Sequence, residues 1–390
     1  MRTLRSNSIG PRLSVIVAFC LSIPAFAAPL PSPAAASRGH STENASDAST
    51  RAQSAVDALQ QWYTSQNGLY WTTGWWNSGN AITTLANFSR VTRSTKYLPV
   101  FANTLHAAQT GHQGFPGFIN DYYDDEGWWA LAWIDVYDLT GEERYLKTAA
   151  SIFADMQTGW DTTTCGGGVW WNKKSKGKNA IENELFLAVA ASLANRAASP
   201  EERQRYLAWA RKEWNWFRDS GMINQDHLIN DGLNESNPSH CTNNGGNTWT
   251  YNQGVILGAL VELDKAAPDS SLRKTANEIA LSAIQRLTDA QGVLRESSDA
   301  HTGGDVPQFK GIFSRNLMLL NNAFPDPRYR AFAITNARSI WERDRDNANH
   351  FGFFWSGPFD MPDASRQSSA VDALVAAAAL DSASAPAPQR

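Results

Sequence analysis

The sequence predicts an all-α chain folded as an (α/α)6 barrel, and three observations point there. Segments with one apolar stripe at helical spacing alternate with segments that are apolar nearly all round. Several striped segments open on a recurring basic–Tyr phrase. No stretch shows the convincing apolar/polar alternation of a half-buried strand.

The striped segments read as outer helices. Tyr145, Leu146, Ala149, Ile152, Phe153 and Met156 share one helical face. Leu272, Ala276, Ile279, Ala280, Ala283, Ile284 and Leu287 do the same, as do Tyr329, Phe332, Ala333, Ile340 and Trp341. The phrase itself is Lys96-Tyr97-Leu98, Arg144-Tyr145-Leu146, Arg205-Tyr206-Leu207 and Arg328-Tyr329-Arg330. A spacing of about 50–65 residues suits a helix-pair repeat, although it exceeds the common solenoid periods. The wholly apolar segments, 128–137, 180–194, 255–263 and 371–380, must be buried on every side. Two concentric layers, with about twelve helices in six hairpins, satisfy both patterns. A non-closing α-solenoid is the alternative.

Composition bounds the function class. The chain has 390 residues, a net charge of −4 and no long run of either sign, so nothing marks a nucleic-acid partner. Arg2, Arg5 and Arg12 precede an apolar run, 13–25, that ends at Ala25-Phe26-Ala27. That order reads as a secretory signal over residues 1–27, too short for a membrane span. Residues 28–47 read as a flexible lead-in, 48–380 as a single domain, and 381–390 as a disordered tail. The tail lacks the apolar segment of a lipid-anchor signal, so a secreted, extracellular chain, free or wall-associated, is expected, as a monomer. Removing the leader removes Cys20 and leaves Cys165 and Cys241, which are expected to pair. Closing that loop stabilises the fold by about 4.5 kcal/mol on the chain-entropy account. A metal site is the weaker alternative, because no His/Cys cluster has ligand spacing; no metal and no cofactor are expected. Asn44, Asn87 and Asn234 head N-glycosylation sequons.

Six stretches, 71–80, 121–127, 165–172, 245–254, 303–311 and 350–357, each combine Gly, aromatics and amide or acid side chains ahead of an apolar segment. With parallel inner helices they gather at one end of the barrel as an aromatic, polar cleft. The chain's 16 Trp offer core volume and also stacking surfaces for a ligand with flat apolar faces, of which sugars are one class. Within the second stretch, Asp124 and Asp125 lie among Tyr122, Tyr123, Trp128 and Trp129. Glycosidic cleavage takes two carboxyl groups, one to protonate the leaving oxygen and one to handle the anomeric carbon. Aromatic neighbours raise a carboxyl pKa, and two close acids push their values apart. Consecutive residues on a regular helix do not face one point, so the pair is expected at an irregular helix entrance. The competing reading is a helix-capping role, for which Asp is favoured.

The motif Tyr123-Asp124-Asp125-Glu126-Gly127-Trp128-Trp129-Ala130 resembles that of glycoside hydrolase family 76, the endo-α-1,6-mannanases, in a secreted fungal-type form. Further fragments follow in order: 74–81, Gly167-Gly168-Val169-Trp170-Trp171, 178–186, 249–254 and 309–313, so the resemblance runs from residue 55 to 375. It implies an (α/α)6 barrel that hydrolyses α-1,6-linked mannan or mannooligosaccharide with retention, through a covalent intermediate. It implies Asp124 as nucleophile, Asp125 as general acid/base and Asp231 as a residue holding the sugar near the cleavage point. Asn80, Trp128, Trp171, Asn179, Asn183, Tyr251, Gln253 and Lys310 are the candidate substrate contacts, and Glu126 receives no role. The family's membrane-anchored fungal members imply an alternative, transglycosylation on mannose-containing wall or anchor glycans. A non-catalytic mannan-binding protein would not need the acid pair. A polysaccharide lyase needs a Tyr or His base, and His227, His240, His301 and His350 lack motif context.

Overall fold

The recurring basic–Tyr phrase becomes a repeated packing unit in the computed structural model, which describes residues 45–110, 114–174, 176–296 and 304–382. Tyr97, Tyr145, Tyr206 and Tyr329 are all buried. In the first three, the basic residue before the tyrosine lies over its ring at 5.3, 4.8 and 5.1 Å. Each cation thus covers an aromatic edge that would otherwise face water.

Twelve α-helices are found among the described residues. The outer set is α1 (Ala45–Leu59), α3 (Leu98–Ala107), α5 (Glu143–Met156), α7 (Pro200–Asp219), α9 (Ser270–Arg286) and α11 (Pro327–Arg343). The inner set is α2 (Trp75–Thr92), α4 (Tyr123–Thr140), α6 (Ala180–Arg196), α8 (Thr250–Ala266), α10 (Phe309–Ala323) and α12 (Ala364–Ser382). Each inner helix packs on the next, and α12 packs back on α2. That closure makes the (α/α)6 barrel and rules out the open solenoid. The burial patterns follow the two sequence classes. On α5 only the stripe Tyr145, Ala149, Ile152, Phe153 and Met156 is buried, whereas on α6 every residue from Ala180 to Ala194 is. Glycine sets the closest inner contacts. A Cβ on Gly254 of α8 would stand 2.6 Å from the backbone of Phe313 on α10, and one on Gly311 of α10 would stand 2.5 Å from the backbone of Ser369 on α12.

The structure departs from the sequence reading in small ways. Two short antiparallel hairpins, Tyr63–Thr64 with Leu69–Tyr70 and Leu233–Asn234 with Thr242–Asn243, occur in loops. Helix α7 starts before its basic–Tyr phrase, because Ser199 caps it by accepting the Glu202 N–H. Helix α1 begins at Ala45 and α12 runs to Ser382. The leader, most of the lead-in with Asn44, and residues 383–390 lie outside the described residues. Among the described residues no helix is long and apolar enough to cross a membrane. Cys165 and Cys241 form a disulfide, tying the loop before α6 to the loop before α8. Asn234 is exposed, but Asn87 corrects the sequon reading: it is buried within α2 and its amide oxygen accepts from Arg90, so the folded chain has no room for a glycan there.

Candidate active site

The N-terminal ends of the inner helices meet through side chains from loops far apart in sequence. Asn77 of α2 donates to Gln308 before α10 at 2.9 Å, and Gln308 donates to Ser368 of α12 at 2.8 Å. Trp76 Nε1 donates to Asp305 at 2.8 Å. An aromatic wall runs across the same end: Trp76 stacks on Trp128 at 5.4 Å, Trp128 on Tyr251 at 6.4 Å, and Tyr251 on Phe309 at 3.8 Å. These contacts join three of the six aromatic, glycine-bearing stretches, 71–80, 245–254 and 303–311, to one another and to α4 and α12. The stretch 165–172 joins through Trp171, whose Nε1 donates to Asp124 Oδ2 at 3.1 Å.

Asp124 and Asp125 lie inside the first turn of α4, not before it. The N-cap is Tyr122, and it makes no side-chain cap. Neither aspartate is thus the N-cap residue that sequence allowed. Burial raises the Asp124 carboxyl above its ordinary range, against the Trp171 N–H and the helix-start N–H groups, and Asp305 adds to the rise. Asp125 is raised further, first by burial and then by the charge of Asp124, although Asn120 donates to its Oδ2 at 2.6 Å. Asp124 Oδ1 is buried without a hydrogen-bond partner. The site thus holds one carboxyl that ionises first, with a free oxygen, beside one that keeps its proton to higher pH.

The loop that carries Trp171 is stitched to the start of α4. Tyr123 N–H donates to the Trp171 carbonyl at 3.1 Å, and Lys173 N–H to the Asp121 carbonyl at 2.9 Å. Lys173 Nζ bridges Glu126 and Asp155, each at 2.6 Å. Glu126 is fully buried, and burial lifts its pKa to about 8 despite the lysine. Its place is structural: it anchors the loop that positions Trp171. The preceding loop is organised by Lys178, whose ammonium donates to the carbonyls of Asp161 at 3.1 Å and Thr164 at 2.5 Å. Gly167 and Gly168 pass under Trp216, where a Cβ on either would stand 2.4 Å from the ring.

The other candidates divide. Asp231 is raised by burial, with the Asn252 amide pulling the other way. Tyr251 is raised by burial and by the charges of Asp231, Asp124, Glu184 and Glu182. Trp171 donates to Asp124 and Trp128 stacks on Tyr251, so these candidates gather around the acid pair. Asn80, Asn183, Gln253 and Lys310 are instead buried in internal bonds. Asn80 accepts from Arg315. Asn183 accepts the Val169 N–H at 2.7 Å, and Gln253 accepts the Ile229 N–H at 2.8 Å. Lys310 donates to the Phe353 carbonyl and lies over the Phe353 and Trp355 rings at 4.4 and 4.6 Å. Asn179 is the N-cap of α6, its N–H donating to Glu182 at 2.5 Å. Sequence reasoning missed Asp305, Glu182 and Glu184. Glu182 and Glu184 are buried and raised well above the carboxylate range, first by burial and then by nearby carboxylates. The only sequence signal for them was acidic residues on an otherwise apolar helix.

A family profile described as Glycosyl hydrolase family 76 matches residues 43–389. The chain belongs to glycosyl hydrolase family 76. Within this family, it is 26% identical over 284 residues to the mannan endo-1,6-alpha-mannosidase DFG5 of Candida albicans, a match covering 67% of this chain and 62% of that protein. It is 25% identical over 335 residues to the mannan endo-1,6-alpha-mannosidase DCW1 of Saccharomyces cerevisiae, covering 79% and 72%. Its fold is that of an inactive variant of a family 76 alpha-1,6-mannanase of Salegentibacter solved with alpha-1,6-mannotetrose. That pair has a TM-score of 0.77, 23% identity and coverage of 86% and 99%. Dfg5 from Chaetomium thermophilum, solved with glucosamine, superposes with a TM-score of 0.73 at 18% identity, covering 88% and 92%.

Proposed function

We propose that this chain is an endo-acting hydrolase of α-1,6-linked mannose backbones that retains configuration. The observation that carries the reading is the consecutive carboxyl pair in the first turn of α4, half-buried and without a cation, with Asp125 holding its proton above Asp124. Asp124, steadied at Oδ2 by Trp171, attacks the anomeric carbon through Oδ1. Asp125 gives its proton to the glycosidic oxygen as the carbon–oxygen bond breaks. Water then attacks the anomeric carbon of the ester, Asp125 takes the water's proton, and Asp124 leaves. Consecutive side chains aimed at one cleft suit the carboxyl separation of about 5–5.5 Å used by retaining enzymes better than the wider spacing of inverting ones. Asp231 and Tyr251 flank the same space and would hold the sugar's hydroxyls.

The relatives, mannan endo-1,6-alpha-mannosidases and an alpha-1,6-mannanase, support the substrate class. The Salegentibacter mannanase is described as inactive with two consecutive aspartates replaced, and this chain carries a consecutive pair at the start of α4. The leader-like residues 1–27 support action outside the cell. Proton NMR of fresh hydrolysis of linear α-1,6-mannan tests the mechanism. The α-anomer should appear first, with β arriving only by mutarotation; initial β-product would remove one of the two aspartates from the reaction. Longer oligosaccharides in the same product mixture would show that an acceptor sugar competes with water for the shared intermediate.

A further inference from the structure

Beside the cleft, at the same barrel end, lies a second hollow of about 430 Å³. Three helix entrances frame it: Thr72 and Thr73 before α2, Asp305 before α10, and Met361, Asp363 and Arg366 around the start of α12. Asp305 is the partition between hollow and cleft. Its charge raises both Asp124 and Asp125, so it is felt in the cleft, while its side chain also lines the hollow. Its Oδ1 is held by Trp76, which stacks on Trp128 in the aromatic wall. Among the described residues, its Oδ2 has no partner.

The chemistry of the walls selects a ligand. Arg366 is already paired with Asp363 and lies 3.5 Å from Asp360, so its charge is spent internally. Asp305 then disfavours an anion. Thr72 accepts the Ala364 N–H at 2.8 Å, which leaves its own hydroxyl proton to donate. Thr73 and Ser365 share one hydrogen bond between two hydroxyls, so a second proton remains free. Met361, 52% exposed, offers an apolar surface at the rim. Hydroxyl donors, a carboxylate acceptor and an apolar face together match a neutral, hydroxyl-rich ring. The volume is within the range of small-ligand sites, at its lower end.

We infer that this hollow is a sugar subsite that takes a further hexose unit of the glycan whose scissile sugar lies at Asp124 and Asp125. The inference rests on the proposed glycosidase reading for the second sugar, and on the hollow alone for the first. The unit is either the next backbone sugar or a side branch, and the substrates below separate the two.

Two folded variants fill the hollow from opposite sides, Thr73→Trp and Met361→Trp, each checked by thermal unfolding. KM is measured on an α-1,6-mannobioside with a chromogenic leaving group, on linear mannohexaose and on branched mannan. Filling should raise KM on mannohexaose about ten-fold more than on the disaccharide if a backbone unit occupies the hollow. A rise confined to branched mannan assigns it to a branch. Equal KM ratios across all three substrates, in either folded variant, would overturn the subsite. If the wild type cleaves none of them, the glycosidase reading fails and the hollow is judged separately. In that case saturation-transfer NMR with α-1,6-mannobiose should show contact that both variants abolish, and unchanged transfer would overturn it.

Discussion

The two ends of the barrel treat charge in opposite ways. Where the inner helices begin, Asp124, Asp125, Asp231, Glu182 and Glu184 share a small space, and none forms an ion pair among the described residues; each is raised by burial first. Toward the opposite end the carboxylates meet arginines. Arg90 pairs with Asp135 at 3.3 Å, Arg196 with Asp138 and with Glu262 at 2.5 and 2.9 Å, and Arg315 with Asp372 at 2.9 Å. A cavity of about 250 Å³ there is lined by Arg90, Asp135, Asp138, Arg196, Glu262 and Arg315. Helix direction cannot explain the contrast by itself: helix N-termini stabilise carboxylates, yet the raised carboxyls are the ones at the N-terminal end. Desolvation without a cation outweighs the helix ends. The difference teaches that the cleft gives up stability to keep protons on acids, as glycosidic acid catalysis needs, while the far end spends its charges on closing the barrel.

The largest effect should come from removing a carboxyl at the unpaired end. Asp124→Asn and Asp125→Asn should each lower turnover at least about 1,000-fold while hardly moving Tm, because no ion pair is lost and the amide oxygen still accepts. Activity measured beside thermal unfolding checks this, and surviving turnover in both variants would end the assignment. At the paired end the outcome should reverse. Arg315→Met strands Asp372 in the interior and should cost about 3–5 kcal/mol by urea unfolding, with most of it regained in the double variant with Asp372→Leu. A small loss in the single variant would show that the ends are not so different.

The pH dependence sharpens the same contrast. A carboxyl raised by folding binds its proton more tightly in the folded chain, so its contribution is present near pH 4 and is lost as pH climbs to the folded value. Glu126, lifted to about 8, is the clearest such group. Asp161, lowered to about 2 as Thr163, the Thr163 and Thr164 N–H groups and Lys178 overcome its burial, does the reverse and loses its contribution as pH falls from 4 toward 2. Tm should therefore peak in mildly acidic buffer and fall toward pH 8, and Glu126→Gln should flatten that fall. A Tm that rises steadily from pH 5 to pH 8 would contradict the burial account. The rate should be bell-shaped, with an acid limb above the ordinary carboxylate range near 4.

Two smaller effects test how the pair is tuned. Lys173→Met should loosen the Trp171 loop, lower activity about ten-fold and move the acid limb to higher pH, as Asp124 loses its N–H donor; Lys173→Arg should restore both. Asp305→Asn should move both limbs to lower pH by less than about half a pH unit, since its charge acts across an exposed site. Rate–pH profiles of the three variants read these shifts.

What could be read from residues alone was whatever local chemistry dictates. Stripe or full apolarity told outer helices from inner ones, because burial on one side or all sides leaves that mark whatever the partner. The two cysteines outside the leader-like residues 1–27 were expected to pair with each other, and Cys165 and Cys241 do. The Asp124–Asp125 pair stood out because two adjacent acids among aromatics are costly to bury. What tertiary structure alone decided was which polar side chains face the cleft. Asn80, Asn183, Gln253 and Lys310 carry the same groups as true sugar contacts, yet here they satisfy Arg315, Val169, Ile229 and Phe353. Asp305, from the turn before α10, and Glu184, from α6, join the acid pair from segments distant in sequence. An amide or a carboxylate has no periodicity to betray its direction; only closing the ring of six inner helices places a partner, or none, within its reach.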